Sequence, residues 1–99
     1  MLAMEQWHLL TKHGRVLVCI AHDPRMRLRD IAATVEITER SAYAIVGELA
    51  SAGYVVKKRD GRRNRYVIQA HLPVPDPGLS TVTIGEALEM FLPAQPRGA

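Results

Sequence analysis

Residues 38–69 read TERSAYAIVGELASAGYVVKKRDGRRNRYVIQ, and how this stretch divides decides the fold. Thr38 is a good helix N-cap, because its hydroxyl can accept from a free N–H of the first turn. Glu39 lies in that turn, where the helix dipole favours an acid. Ala42, Ile45, Val46 and Leu49 recur at helical spacing and form one apolar stripe. Gly53 closes the helix at the left-handed position that glycine tolerates. Two β-prone runs follow, on either side of Asp60-Gly61. An Asp-Gly pair between such runs predicts a hairpin with a type I′ turn, whose two central residues need positive φ. Tyr66 and Ile68 alternate with Arg65, Val67 and Gln69, so one face of the hairpin can be buried.

Working outward, Trp7, Leu10, Gly14, Leu17 and Ala21 predict a first helix over Trp7 to Ala21. The run Val16 to Ile20 could be a buried strand, but the longer periodic stretch around it favours helix. Asp23-Pro24 ends it, since a proline disfavours helix at the preceding residue. Leu28, Ile31, Ala32 and Val35 predict a short second helix, with no Ser, Thr, Asp or Asn cap before it. Glu36-Ile37 is the turn into the third. Downstream, Pro73, Pro75 and Pro77 make an extended linker over residues 72–80. Thr83 and Glu86 have capping-box spacing. Ile84, Ala87, Leu88 and Phe91 then form a stripe that Pro93 stops. The expected layout is a domain over residues 1–71, the linker, a C-terminal helix within 81–93 and a frayed tail over 94–99. The expected fold class is mainly α with a small β-hairpin.

Composition narrows the function. The chain has 99 residues, 47% hydrophobic and 23% charged, an ordinary balance for a domain with one core. No apolar run approaches the roughly 18 residues that span a bilayer, and the N-terminus does not read as a signal peptide. Cys19 is the only cysteine, which fits a cytoplasmic address. His8, His13, Cys19, His22 and Asp23 invite a metal reading, yet there is no paired-cysteine motif and no compact ligand set. A buried structural cysteine and surface histidines are expected, with no metal and no cofactor. No Gly-rich phosphate loop, zincin motif or Gly-x-Ser-x-Gly elbow is present, so no enzyme is expected.

Net charge is only +3, but its distribution is uneven. Six basic residues and one acid, Asp60, lie between Lys57 and Arg65, and a second cluster holds Arg25, Arg27 and Arg29. The order is helix, helix, tight turn, helix, basic hairpin. Two helices joined by a short turn can set the outer face of the second in the major groove of DNA. That face carries Thr38, Glu39, Arg40, Tyr43, Ala44 and Gly47. Arg40 can offer two parallel donors to a guanine edge. Tyr43 can touch a phosphate or a thymine methyl, and the small Ala44 and Gly47 permit close approach. Lys58, Arg59, Arg62, Arg63 and Arg65 would meet the backbone or minor groove. Arg29, near the start of the second helix, is the best phosphate candidate of its cluster.

Leu28-Arg29-Asp30-Ile31-Ala32, Ile37-Thr38-Glu39-Arg40-Ser41-Ala42, Leu49, Ala52-Gly53-Tyr54-Val55 and Gly61-Arg62-Arg63-Asn64-Arg65-Tyr66 together resemble the winged helix-turn-helix transcriptional regulators of the MarR and ArsR type. Trp7 and His13-Gly14-Arg15-Val16-Leu17 extend the likeness to short bacterial members, so it covers roughly Trp7 to Leu92. The resemblance implies a three-helix core plus wing, with a recognition helix at Thr38 to Ala52, a wing at Val55 to Gln69 and dimerisation through terminal helices. Many relatives have glycine where this chain has Glu36, so the glutamate there either carries strain or adopts a different turn. Trp7, Leu10 and Leu17 at one end and Ile84, Leu88 and Phe91 at the other are the expected homodimer interface. A small-molecule effector, if one exists, would use a dimer crevice. The expected function is sequence-specific binding of double-stranded DNA in transcription regulation. The alternative is a winged-helix module that binds protein or RNA.

Overall fold

A computed structural model describes residues 7–92. Its first helix, α1, runs Lys12–His22, not from Trp7. Thr11 sets the start, because its hydroxyl accepts from the backbone N–H of Gly14 at 3.0 Å. Apolar spacing continues upstream of that cap, but a side chain that satisfies an orphan N–H is the stronger start signal. Trp7 therefore lies outside the helix and is 80% exposed.

The second helix, α2, spans Leu28–Val35, and its N-cap Arg27 makes no side-chain bond to it. At its other end Glu36 is left-handed, with φ 64° and ψ 48°. This is the turn that the glutamate had left open: the glycine-like conformation is kept without glycine. The Arg15 guanidinium donates to the carbonyl of Val35 at 3.1 Å, so α1 caps the C-terminus of α2 with a cation. The third helix, α3, spans Glu39–Ser51, with Ser41 N–H donating to the Thr38 hydroxyl at 3.0 Å. Tyr54 N–H reaches the Leu49 carbonyl and Gly53 N–H that of Ala50. With Gly53 at φ 88°, this is a Schellman closure.

Strands β1, Val55–Asp60, and β2, Arg63–Ile68, pair antiparallel from Val55 opposite Ile68 to Asp60 opposite Arg63. The loop is thus Gly61-Arg62 and not Asp60-Gly61. Only Gly61 has positive φ, at 68°, which is the pattern of a type II′ turn, where glycine takes the first central position. Asp60 stays in the strand, and its carboxylate pairs with Arg25 at 3.2 Å. The free edge of β2 is covered: Tyr66 N–H donates to the Pro24 carbonyl at 2.9 Å.

Residues 72–80 do not run free as a linker. Val74 N–H donates to the Val82 carbonyl and Ile84 N–H to that of Leu72, both at 2.8 Å, and Tyr54 Oη to the Pro73 carbonyl at 2.9 Å. The prolines leave enough donors for this fold-back, which delivers the last helix, α4, Ile84–Glu89. Its capping box forms as the spacing predicts, with Thr83 and Glu86 each bonding the other's backbone N–H. The helix is over by Met90; Pro93 and the expected tail lie outside the described residues.

The core takes Val16, Leu17 and Ile20 from α1, Ile31 and Val35 from α2, the Ala42, Ile45, Val46 and Leu49 stripe from α3, Val55 and Tyr66 from the hairpin, and Ile84 and Leu88 from α4. Leu17, Ile84 and Leu88 were expected at a dimer interface. They are 6%, 6% and 8% exposed within one chain, because α4 folds back on α1 and covers them. The described residues thus form four helices and one two-stranded antiparallel hairpin around a shared core. Among them no helix is long and apolar enough to cross a membrane.

Candidate nucleic-acid interface

Burial of one stripe of α3 leaves the opposite face outward. Glu39, Arg40, Tyr43, Ala44 and Gly47 are all exposed, Tyr43 by 69%. Thr38 serves this face indirectly. Its oxygen accepts from Ser41 N–H and lies 3.0 Å from Ser41 Oγ, so it positions the helix start. Glu48, one turn past Ala44, is drawn toward α1 by His13. Gly47 has nothing within 4 Å of where a Cβ would stand, so glycine there leaves open space beside the helix.

Across that space stands the hairpin. Tyr43, Ala44 and Gly47 form one wall of a cavity of about 230 Å3, and Lys57 and Asn64 line it from β1 and β2. Cross-strand partners share a face of a hairpin. Lys57 pairs with Tyr66, and Arg59 with Asn64, so Lys57 and Arg59 lie on the face that Tyr66 turns to the core and α3. Lys58 pairs with Arg65 on the other face. The basic run is therefore split: Arg59 stands with α3, while Lys58 and Arg65 stand away from it.

Arg62 occupies the exposed tip. Arg63 does not project freely as expected. It is half-buried, and its Nη2 donates to the Arg25 carbonyl at 2.7 Å, which braces the hairpin against the loop between α1 and α2. Arg29 is exposed in the first turn of α2. Lys57 and Asn64 were not singled out by sequence as contacts, and Arg25 and Arg27 were ranked behind Arg29 in their basic cluster, yet all four line cavities beside α3 and α2. For Lys57 the signal was legible: once Tyr66 faces inward, strand alternation puts Lys57 on its side and Lys58 opposite.

Cys19 is buried, and desolvation pushes its thiol pKa up against the opposing pull of the Arg15 charge. Among the described residues no group of three His, Cys, Asp or Glu side chains could hold a metal ion.

No protein-family model matches this chain, and no curated protein is significantly similar to it. What the interface can do follows from its own chemistry. The exposed face carries Glu39 and Arg40 in the first turn of α3, then Tyr43 and the small Ala44 and Gly47, with Lys57 across the cavity from these last three.

Proposed function

We propose that the chain is a winged helix-turn-helix regulator of the MarR and ArsR type that binds double-stranded DNA as a homodimer. In this reading α3 enters the major groove and the hairpin is the wing. One observation carries it: Tyr43, Ala44 and Gly47, on the exposed face of α3, open on a groove whose far wall holds Lys57. The small residues give room for a base edge, and the cations give attraction to phosphate. A protein-binding face would carry large apolar side chains in place of Ala44 and Gly47.

Reading and grip fall to different residues. Arg40 lies in the first turn of α3, and recognition helices present their N-terminal residues to bases. Arg62 sits at the tip, where a phosphate contact carries no direct sequence information. Arg40→Ala should lose about 1–3 kcal/mol on a selected operator and much less on scrambled duplex. Arg62→Ala should weaken both alike. Affinities of the folded variants on both duplexes at one salt concentration check this. Equal losses for Arg40→Ala would remove α3 as the reader. No binding of wild type to any duplex would favour the protein or RNA module.

A further inference from the structure

A second cavity, of about 340 Å3, lies next to the α3–hairpin groove. Arg25 and Arg27 line it from the loop before α2, and Arg62 and Arg63 from the hairpin. Asp60 offsets part of this charge by pairing with Arg25. Arg63 is bound into the wall through Nη2, but its Nε is buried with no partner. An N–H of a guanidinium left unpaired inside a fold is unfavourable, so the position calls for an acceptor. The side-chain oxygen of Asn64 is also buried and unpartnered.

The start of α2 stands beside this cavity: Leu28, its first residue, lines the cavity, and its N-cap Arg27 supplies no side-chain bond. The first-turn N–H groups have no partner inside a helix, and the dipole makes that end positive. Four guanidinium groups around one cavity, with an unpartnered Nε–H in its wall and the first residue of α2 at its edge, match a tetrahedral oxyanion, which can accept from several directions at once.

We propose that this cavity is a phosphate seat, formed by Arg25, Arg27 and the Nε–H of Arg63 against the start of α2. Leu28, Asn64 and Tyr66 line both cavities, so the seat is continuous with the groove along α3. A backbone phosphate of a duplex is one source of the group, and for that source the inference rests on the proposed DNA binding. A free phosphate-bearing solute is the other.

The test uses isotope-labelled full-length protein and proton–nitrogen correlation spectra. Inorganic phosphate is titrated at fixed ionic strength in the first arm and duplex DNA in the second. Saturable shifts are expected at Arg63 Nε–H and at the Leu28 and Arg29 amides. Arg27→Gln, which changes an exposed side chain, should weaken the affinity about tenfold, as loss of a charge-assisted bond would. Displacement of phosphate by duplex, or shifts with duplex alone, assigns the seat to the DNA backbone; the salt slope should then fall by about one in Arg27→Gln. Phosphate that duplex does not displace assigns it to a solute. Absence of saturable shifts at these groups in both arms overturns the proposal, as does undiminished affinity in both Arg25→Gln and Arg27→Gln. The Arg40→Ala comparison is read independently, so the seat can fail while DNA reading stands.

Discussion

Glu36 holds a left-handed conformation, with φ 64°, that an L side chain enters at a loss of roughly 1–2 kcal/mol. Glycine would enter it freely but loses more chain entropy on folding. The first effect exceeds the second, and the Glu36 side chain makes no hydrogen bond that the change would break. Glu36→Gly should therefore raise the unfolding free energy by about 0.5–1 kcal/mol, read from denaturant midpoints at constant slope. Gly47 is the opposite case: a glycine in mid-helix with no backbone need for it. Gly47→Ala should stabilise the fold by about 0.5–1 kcal/mol, because its Cβ meets nothing and helix propensity improves. Gly47→Met should also fold, but its side chain would fill the space beside α3. Duplex affinity should drop by about tenfold or more; retained affinity would mean that DNA does not approach there.

Elements in this chain are set by caps and turns more than by apolar spacing. α1 begins where Thr11 can accept from Gly14, although the apolar pattern starts earlier. The hairpin turns at Gly61-Arg62, where glycine takes the first central position of a type II′ turn, and Asp60 stays in the strand paired with Arg25. That ion pair is long-range and invisible in a local reading. α4 is only six residues long, too short to stand alone. It is held by its capping box and by close contact with the chain before it. Gly85 N–H donates to the Ala70 carbonyl at 2.9 Å, and a Cβ on Gly85 would lie 2.9 Å from that of Ala70 and 3.2 Å from its carbonyl oxygen. Gly85→Ala should destabilise by about 1–3 kcal/mol through overpacking. Because Ile84 and Leu88 belong to the shared core, the loss should appear in the global transition. An unchanged midpoint in thermal unfolding would show that α4 docks loosely.

For the whole molecule, burial of Leu17, Ile84 and Leu88 redraws the surface available to a second copy. Among the described residues, the large apolar side chains left outside are Trp7, Leu9, Met90 and Phe91 toward the two ends, with Tyr43, Val56 and Leu79 elsewhere. Leu9, Leu10 and Phe91 line one cavity between the N-terminal segment and α4. If the proposed homodimer uses this face, Leu9→Ser with Phe91→Ser should shift sedimentation toward monomer without lowering the monomer's helix content. Wild type that sediments as a monomer at about tens of micromolar removes the dimer from the proposal. Split basic faces also bear on salt dependence. A grip on about six phosphates implies a roughly thousand-fold loss of duplex affinity between about 50 and 200 mM salt. Lys58 and Arg65 face away from α3, so replacing both with Ala should change that slope less than replacing Lys57 and Arg59.

The element order, the α3 stripe of Ala42, Ile45, Val46 and Leu49, the Gly53 stop and the Thr83–Glu86 capping box were all legible in the sequence. Each depends on residues within a few positions of one another, where periodicity, caps and positive-φ glycine act directly. The exposed face of α3 followed from the same periodicity, so Arg40, Tyr43, Ala44 and Gly47 were named in advance. Tertiary structure decided the rest. Whether Leu17, Ile84 and Leu88 are core or interface depends on where α4 lands, and that is set by backbone bonds between residues 72–74 and 82–84 that no local pattern encodes. Arg63 became a brace, not a free contact, because the Arg25 carbonyl, 38 residues earlier in the chain, lies within reach of its guanidinium. Apolar spacing says that a side chain will be buried; only the packed chain says against what.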